Sequence, residues 1–306
     1  MGVEVVETAA RCRALLDGAR AAGRTVGLVP TMGALHAGHV SLLARARAEC
    51  DVVAVTIFVN PLQFGDPEDI AHYPRTLERD LVVCADEGAD VVFAPPVPEM
   101  YPSWPEVPAT AVTVRGVSEV WEGASRPGHF DGVATVVAKL FSIAGPCRAY
   151  FGEKDFQQLA VVRRLAADLM LPVEVVGCPT VREADGLALS SRNVRLSPEE
   201  RRAAAVLWRA LSAAQATVST GLCSGSALAQ VMRDAMALEP LVRLDYAGAV
   251  DADSLAEVDM VSDPSSVRLL IAAVVGPVRL IDNAPALAET ELSERGRPVR
   301  HLERIG

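Results

Sequence analysis

The sequence predicts an α/β protein in which a Rossmann-like parallel sheet with helices on both faces is followed by a smaller α+β C-terminal domain. Short apolar β-type runs alternate with helical stretches as far as about residue 180, and two helices and three strands follow. Half of the 306 residues are hydrophobic and few are aromatic, a composition typical of helices packed on a parallel sheet. The chain is long enough for one large or two ordinary domains.

The first domain, residues 1–180, is predicted from this alternation. Strands are expected at residues 26–29, 52–59, 91–94, 148–151 and 173–178, and helices at residues 42–49, 77–87, 132–143 and 157–169. Alternation of this kind buries a parallel sheet between helices, and ligands bind beyond the carboxyl ends of its strands. The loops at residues 31–39, 60–64 and 152–155 each follow a strand, so we expect them to face one crevice.

The second domain, residues 181–306, begins with a connecting loop at residues 181–193. Ser197 to Glu200 form a capping-box helix start with Pro198 at the first helical position, and this helix is expected to continue to about residue 216. A second helix and three strands complete the domain, at residues 224–238, 242–250, 266–275 and 278–281. The charged tail from residue 284 onward is expected to be poorly ordered.

The most informative segment covers residues 26–39. Its strand runs into a turn forced by Pro30 and Gly33, and then places His36 and His39 at the start of a helix. A helix start has unpaired backbone N–H groups and a partial positive charge, so an anion is favoured there. Gly38 leaves room for phosphate oxygens beside the backbone. An ordinary surface or core histidine pair is the alternative; a zinc pair would need a third ligand that the sequence does not supply.

Charge and cysteine content narrow the function classes. The net charge of −10 argues against a broad nucleic-acid-binding surface, which needs clustered Lys and Arg. No export signal and no apolar run of about 18 residues are found, so we expect neither secretion nor a membrane span. Six cysteines without a Cys-x-x-Cys pair indicate reduced thiols in a cytoplasmic protein.

Six motifs in order connect the chain to a known family. They are PTMGALHAGH, IFVNPLQF, YPRT, SRPGHFDGV, FGEKDFQQL and TVREADGLALSSRN. With them the chain resembles the pantothenate synthetases from about residue 27 to residue 283. These are ATP-dependent ligases that join pantoate to β-alanine through a pantoyl adenylate. The resemblance implies an ATP-binding Rossmann-like domain, a smaller lid domain, a homodimer and small-molecule substrates only.

The resemblance also implies residue roles. His36 and His39 would contact ATP and stabilise charge that spreads over its phosphates, with His39 as proton donor, and Lys154 would place a cation on the phosphates. Gln63 and Gln158 would hold pantoate, and Gln63 would also contact β-alanine. The remaining ATP-binding residues implied in this way are Met32, Gly33, Gly152, Glu153, Asp155, Val181, Leu189, Ser190, Ser191 and Arg192. Further site-lining or dimer-region candidates are Tyr73, Glu122, Arg126 and His129.

One departure from the family concerns the metal. The family usually has adjacent acidic residues after the YPRT motif, near Mg²⁺, whereas this chain has Glu78, Arg79 and Asp80. Asp80 keeps the second acidic position and is the predicted metal ligand, and Mg²⁺ is expected to enter with the ATP phosphates. The alternative is a solvated charge run on a helix.

Two other functions remain open from the sequence. Another nucleotidyl transfer on the same scaffold would share the His-x-Gly-His turn, and a non-catalytic nucleotide sensor could keep the fold. The paired glutamine motifs favour the ligase over the first, and the retention of His36, His39, Lys154, Ser190 and Arg192 argues against the second. A dehydrogenase is disfavoured because no Gly-x-Gly-x-x-Gly follows the first predicted strand.

Overall fold

The computed structural model of the protein describes residues 2–65, 70–71, 73–221 and 224–287. The chain divides into two compact units. The first comprises residues 1–184 together with Ala188–Val194, and the second comprises Asp185–Leu187 together with residues from 195 onward. The segment at residues 181–194 thus contributes mainly to the first unit. That the second unit acts as a lid stays a prediction.

The first unit is built on a six-stranded parallel sheet in the order β1-β4-β3-β2-β5-β6. Its strands are Glu4–Val6 (β1), Val26–Thr31 (β2), Val52–Ile57 (β3), Val91–Phe93 (β4), Cys147–Gly152 (β5) and Val173–Cys178 (β6). The helices whose bounds the structure describes are Ala9–Ala21 (α1), Ala37–Glu49 (α2), Leu77–Asp86 (α3), Val97–Met100 (α4), Glu122–Ser125 (α5), His129–Ala144 (α6) and Phe156–Asp168 (α7). The predicted fold class is confirmed.

The sheet is buried because its strands are apolar on both faces. In β3 every residue from Val52 to Thr56 is buried, as expected for a parallel strand covered on two sides. Leu43 and Ala46 of α2 pack with Val29 and Val55 in one core cluster. The neighbouring residues Leu28 and Ala54 point to the opposite face because side chains alternate along a strand, and they are buried as well.

The strand order places a topological switch point beside β2. From β2 the chain proceeds to β3 and β4 on one side, whereas β5 and β6 add to the other side. At such a point the loops that leave neighbouring strands separate, and a crevice opens at the carboxyl ends of the strands. The turn after β2 and the loops after β5 and β6 therefore meet at one place.

Several local features of the first unit differ from the sequence predictions, and the short helices α4 and α5 were not predicted. The short strand β1 and helix α1 were not predicted; Thr8 caps α1 by accepting a hydrogen bond from the N–H of Arg11 at 3.3 Å. Pro30 was expected to begin the turn, but it lies inside β2, where it is in register with Thr56 of β3. The chain therefore turns only after Thr31. Helix α6 begins at His129, three residues earlier than expected, and His129 therefore lies in its first turn.

In its described residues, the second unit contains three helices and a small antiparallel sheet with the strand order β7-β8-β9. The elements are Pro198–Ala204 (α8), Val206–Ser219 (α9), Gly225–Ala237 (α10), Val242–Asp251 (β7), Val267–Val275 (β8) and Val278–Pro285 (β9). The predicted capping box is present, since Ser197 N–H donates to Glu200 Oε2 at 2.8 Å and Glu200 N–H donates to Ser197 Oγ at 3.3 Å. The expected single helix is divided at Ala205 into α8 and α9.

The end of the second unit extends further than expected. Strand β9 continues through Pro285, and Leu287 is buried in the core of the unit together with Leu207 and Ile271. The predicted tail began at residue 284, so its first four residues belong to this packed unit. The rest of that tail, residues 288–306, lies outside the described residues.

The cysteines are thiols wherever the structure describes them. Cys12, Cys50, Cys84 and Cys178 are buried and Cys147 is partly buried, and none of these five forms a disulfide. Burial raises the pKa of the Cys12 and Cys84 thiols to about 11, so both are protonated at neutral pH. Cys223 lies outside the described residues. Within the described ranges, no helix has the length and apolar character needed to cross a membrane.

Candidate active site

A cleft opens at the carboxyl ends of β2, β5 and β6, within the first unit. Its empty volume is about 910 Å³, open solvent included. The predicted site residues that line it are Met32, His36, His39, Gly152, Lys154, Asp155, Gln158, Val181, Leu189, Ser190, Ser191 and Arg192. Tyr73 lines it too. The topology thus brings together residues from four of the six sequence motifs.

The candidates Glu122, Arg126 and His129 do not line this cleft. Neither do four residues that were predicted to contact a substrate or the metal. They are Gly33, Gln63, Asp80 and Glu153. Conversely, sequence reasoning missed Pro30, Leu42, Phe151, Pro179 and Thr180, which do line it. Most of these are apolar and carry no chemical signal. Their positions at the ends of strands were the available clue, because Pro30, Phe151 and Pro179 lie at the carboxyl ends of β2, β5 and β6.

The two histidines form a reciprocal cap at the start of α2. The N–H of Gly38 donates to His36 Nδ1 at 3.1 Å, and the N–H of His36 donates to His39 Nδ1 at 3.3 Å. The N–H of His39 bonds to the carbonyl of His36 at 2.7 Å. The N–H groups of Gly38 and His39 are therefore already paired. This differs from the expectation that unpaired backbone N–H groups would meet the anion here.

The cap determines which nitrogen of each imidazole ring carries the proton. Because each Nδ1 accepts a hydrogen bond, the proton of a neutral ring must be on Nε2. Burial, with His36 as a further positive neighbour, lowers the pKa of His39 to about 3. Burial and the nearby Lys154 charge also lower the pKa of His36. At neutral pH the site therefore offers two uncharged Nε2–H donors. The centroids of the two imidazole rings are 4.2 Å apart.

Asp80 fixes the turn that precedes these histidines. Its carboxylate accepts hydrogen bonds from the N–H of Ala34 at 2.9 Å, from the N–H of Leu35 at 2.8 Å and from Thr76 Oγ1 at 3.1 Å. Gly33 in the same turn has φ +86°, and a Cβ there would lie 3.0 Å from Asp80 Oδ2. Gly33 is thus needed for the shape of the turn and for the close approach of Asp80.

These contacts do not support the predicted metal role of Asp80. The alternative of a fully solvated charge run does not hold for Asp80, which is only 1% exposed, although Glu78 and Arg79 are exposed. Within the described ranges no group of three or more His, Cys, Asp or Glu side chains could hold a metal ion. The Asp80 carboxylate instead accepts the N–H groups of a turn.

Positive charge comes to the cleft from Lys154 and Arg192. Lys154 follows β5 in the 3-10 turn Glu153–Asp155, and its Nζ lies 3.6 Å from Asp155 Oδ1. Burial acts to raise the pKa of Asp155, but the charges of Lys154 and Arg192 outweigh it and hold the pKa below its usual value. The two cations and this carboxylate are therefore close enough to interact, and the balance of the three charges is positive.

Gln63 lies beside the cleft, behind Met32. Asn60 Oδ1 accepts from Tyr101 Oη at 2.8 Å and Asn60 Nδ2 donates to the carbonyl of Gly132 at 3.0 Å, which fixes how the Asn60 amide is oriented. Asn60 Nδ2 also donates to Gln63 Oε1 at 3.1 Å. The Gln63 Nε2 group is consequently directed away from Asn60, toward Met32 Sδ at 2.8 Å. A sulfur atom is a weak acceptor that a ligand oxygen can replace.

The two glutamines of the FGEKDFQQL motif have different environments. Gln158 lines the cleft. Gln157 is buried, donates to the carbonyls of Val117 and Val120 at 2.8 and 2.7 Å, and accepts from the N–H of Glu122 at 2.9 Å. Gln157 therefore holds the segment before α5, and only Gln158 is placed to meet a ligand.

The loop after β6 completes the cleft. Leu189 N–H bonds to the carbonyl of Val181 at 3.0 Å, and Arg192 N–H bonds to Ser190 Oγ at 3.2 Å, so the loop is internally ordered. Within the described parts of the chain, the buried Thr180 Oγ1 has no hydrogen-bond partner. A buried hydroxyl without a partner is costly, so Thr180 is suited to bond a polar atom of a ligand.

Comparison with known proteins assigns the family. The family model described as pantoate-beta-alanine ligase matches residues 4–285. The chain belongs to the pantoate–β-alanine ligase family. The resemblance found in the sequence is confirmed, and the protein is an enzyme of the class that ligates pantoate and β-alanine. This membership excludes the dehydrogenase and decides against other nucleotidyl transfers.

Relatives and solved structures agree with this membership. The pantothenate synthetase of Deinococcus radiodurans is 57% identical over 85% of this chain and 93% of its own length. That of Rubrobacter xylanophilus is 54% identical over 87% and 92%. The crystal structure of the Thermus thermophilus enzyme has a TM-score of 0.87 at 48% identity, covering 94% of this chain and all of its own. A Francisella tularensis ligase, solved in complex with β-γ ATP and β-alanine, has a TM-score of 0.75 at 32% identity over 93% and 98%.

The Asp80 contacts predict a loss of stability rather than a change in metal requirement. In Asp80→Asn one of the two acceptor oxygens becomes an NH₂ group. Because Ala34 N–H bonds to Oδ2 and Leu35 N–H bonds to Oδ1, either orientation of the amide places this NH₂ against one N–H donor, which should cost about 1–3 kcal/mol in the free energy of unfolding. Denaturant unfolding measures this cost, and a magnesium titration of activity should keep its midpoint. Glu78→Gln is the matched control, since Glu78 is exposed on the same helix. A stable Asp80→Asn enzyme with a higher magnesium requirement would instead support metal ligation.

The low pKa of His39 predicts a pH-dependent stability. The unfolded chain binds a proton near pH 6.5, whereas folded His39 binds it only near pH 3, so stability is lost as the pH falls between these values. His39→Gln keeps an acceptor at this capping position and removes the titrating group. Between pH 6 and 4.5, its free energy of unfolding should depend on pH less steeply than that of the wild type, by about 1.4 kcal/mol per pH unit. Equal slopes would mean that folded His39 is already protonated.

Proposed function

We propose that the enzyme condenses pantoate with β-alanine in two steps, through a pantoyl adenylate formed with ATP. The observation that carries this proposal is the composition of one cleft. Two neutral imidazole donors, Lys154 and Arg192 line it together with the Gln158 amide, so phosphate-binding and carboxylate-orienting groups occupy the same space. The Francisella ligase in complex with β-γ ATP and β-alanine supports both substrates.

A carboxylate does not react with an amine, so the pantoate carboxylate must be activated before the amide bond forms. In the first step a carboxylate oxygen of pantoate attacks the α-phosphorus of ATP, and the bond to the bridging oxygen of pyrophosphate breaks. In the second step the β-alanine amine attacks the activated carbonyl carbon, AMP leaves with the bridging oxygen, and the amine loses a proton. The acyl adenylate provides the leaving group that the free acid lacks.

In the proposed reaction, ATP is bound by groups that stabilise the negative charge growing on its phosphate oxygens. Negative charge on the phosphate oxygens grows as the α-phosphorus becomes five-coordinate, and preorganised donors stabilise it with little reorganisation. We assign this role to the Nε2–H groups of His36 and His39 and to the Lys154 ammonium. Phosphate beside the rings favours their protonation, so His39 can pass a proton to a phosphate oxygen once ATP is bound.

The remaining nucleotide contacts come from loops. Met32 and Gly152 line the cleft at the ends of β2 and β5, and Asp155 lies beside Lys154. The loop after β6 offers the hydroxyls of Ser190 and Ser191 and the Arg192 guanidinium to the phosphates, while Val181 and Leu189 provide backbone and apolar contacts. Gly33 and Glu153 do not line the cleft, so we assign Gly33 to the turn and give Glu153 no contact with ATP.

Pantoate is assigned to the two amides. Gln158 lines the cleft directly, and Gln63 presents Nε2 beside Met32. Neutral amides orient a carboxylate or hydroxyl without the strong charge neutralisation of an arginine, so the attacking oxygen stays nucleophilic. Gln63 is also the proposed contact for β-alanine, which must approach the same carbonyl carbon.

Magnesium enters this proposal with the nucleotide. Asp80 does not fit as its ligand, because its carboxylate is turned to the N–H groups of Ala34 and Leu35. Mg²⁺ bound to ATP phosphates commonly keeps several waters and needs few protein carboxylates. We therefore treat MgATP as the substrate and assign no protein ligand to the metal. We also propose, from the resemblance, that the enzyme is a cytoplasmic homodimer; sedimentation would measure its oligomeric state.

Isotope exchange tests the adenylate directly. With pantoate but without β-alanine, the enzyme should incorporate labelled pyrophosphate into ATP, because exchange needs only the first step and its reversal. Lys154→Ala should slow this exchange by about 10²- to 10³-fold, as for loss of one preorganised electrostatic group. Arg164→Met is the matched control, because Arg164 is exposed and paired with Asp168 on α7. Exchange that required β-alanine would overturn the two-step proposal.

Adjacent glutamines provide a test of pantoate binding. Gln158→Ala should raise the KM for pantoate by roughly tenfold to a hundredfold and leave the KM for ATP near wild type, since one hydrogen bond to a charged group is lost. Gln157→Ala should instead lower the melting temperature, because it removes the three hydrogen bonds that the Gln157 side chain makes to the main chain of Val117, Val120 and Glu122. Initial rates and thermal unfolding measure both effects. A selective rise in pantoate KM for Gln157→Ala but not for Gln158→Ala would reverse the assignment.

A further inference from the structure

The Gln63 main chain lies directly against the first turn of α6. A Cβ atom at Gly132 would be 2.3 Å from the carbonyl oxygen of Leu62 and 2.7 Å from Gln63 N, so only glycine permits this approach. Asn60 Nδ2 bridges the same two elements, since it donates to the Gly132 carbonyl and to Gln63 Oε1. The 3-10 turn Pro61–Gln63 is therefore packed against α6 without an intervening side chain.

Two side chains next to this contact converge on the Gln63 carbonyl. His129 Nδ1 lies 2.8 Å from Gln63 O, and Arg126 Nη1 lies 3.3 Å from His129 Nε2. Arg126 Nη2 is also 3.5 Å from Gln63 O. An arginine can only donate, so His129 Nε2 must accept, and the ring proton must be on Nδ1, where it is donated to the carbonyl.

The protonation of His129 is consistent with this arrangement. Burial, followed by the charge of Arg126, lowers the pKa of His129 to about 4, although its bond to Gln63 O and the charges of Asp155 and Glu122 act in the other direction. The ring is therefore neutral at physiological pH. Its proton is on Nδ1, whereas His36 and His39 carry theirs on Nε2. The two kinds of histidine thus differ in a measurable property.

We propose that His129 and Arg126 are positioning residues for the substrate amide of Gln63, with Arg126 selecting the His129 tautomer that donates to the Gln63 carbonyl. This inference rests on the proposed function, because it takes Gln63 as a pantoate contact. Asn60 determines how the Gln63 amide is oriented, and the His129 bond determines where its main chain lies. A ring in the other neutral tautomer would place a lone pair against the carbonyl oxygen, which would repel it.

Substitutions at residue 129 separate positioning from general packing. Asn has a side-chain N–H near the place of Nδ1, so His129→Asn can still donate to Gln63 O, whereas His129→Leu cannot. His129→Leu should raise the KM for pantoate about tenfold and leave the KM for ATP within twofold, and His129→Asn should restore most of the pantoate KM. Equal KM changes for both substrates, or no rescue by Asn, would overturn the proposal.

A double-mutant cycle tests whether His129 acts through Gln63. If it does, His129→Leu should have little further effect on pantoate KM in a Gln63→Ala background, so the two effects should not add. Additive effects would overturn the proposal. If Gln63→Ala alone left the pantoate KM unchanged, the assignment of Gln63 under the proposed function would fail. A normal Gln63 effect with an inert His129→Leu would overturn only the present inference.

The tautomer of His129 can be tested in the wild-type protein by ¹⁵N NMR. Imidazole ¹⁵N spectra at neutral pH should show His129 protonated on Nδ1. In Arg126→Met the Nε2 partner is lost, so the His129 signals should shift toward the other tautomer or toward a mixture, and the pantoate KM should rise. Arg164→Met is again the matched control and should leave both unchanged. A wild-type His129 protonated on Nε2, or unchanged signals and pantoate KM in Arg126→Met, would overturn the role of Arg126.

Discussion

Between β2 and α2 the chain reverses within a few residues, and the Asp80 carboxylate holds that reversal. Two consecutive N–H groups, those of Ala34 and Leu35, point at one carboxylate that is almost fully shielded from water. Charge-assisted bonds of this kind are stronger than neutral ones and are costly to leave unmade. Both histidines follow this turn directly, so the direction in which α2 presents them depends on a residue that touches no substrate in our proposal.

The histidine cap replaces backbone N–H donors at the helix start with side-chain Nε2–H donors. In most helices a Ser, Thr, Asp or Asn caps the first turn, and the remaining N–H groups stay available to an anion. Here His36 and His39 accept the N–H groups of Gly38 and His36, and their Nε2–H groups take over as donors at a greater distance from the backbone. Side-chain donors reach further into the cleft than the backbone can. Lys154, which helps to keep His36 neutral, adds the charge that these rings lack.

Neutral amides are held as firmly as the charged groups. Asn60 is 1% exposed, and each of its side-chain atoms has a partner that fixes its orientation. The orientation of Gln63 follows from that of Asn60, since an amide must present its oxygen to a donor. A preorganised amide loses less entropy when a substrate binds, which is the physical reason to surround one glutamine with several buried polar groups. The close approach at Gly132 makes this packing possible.

The sequence by itself determined the layers of the fold and the motifs that meet in the cleft, because hydrophobic period, caps and turn residues act over a few residues. The helix start at Ala37, the strand Val173–Cys178 and the Ser197 cap follow from such local patterns. It did not assign Asp80 to the turn, place Gln63 behind Met32, or show that Gln157 holds the segment before α5. Those outcomes depend on partners tens of residues away, and only the tertiary structure decided them, since hydrogen-bond partners across the chain are set by packing and not by local sequence.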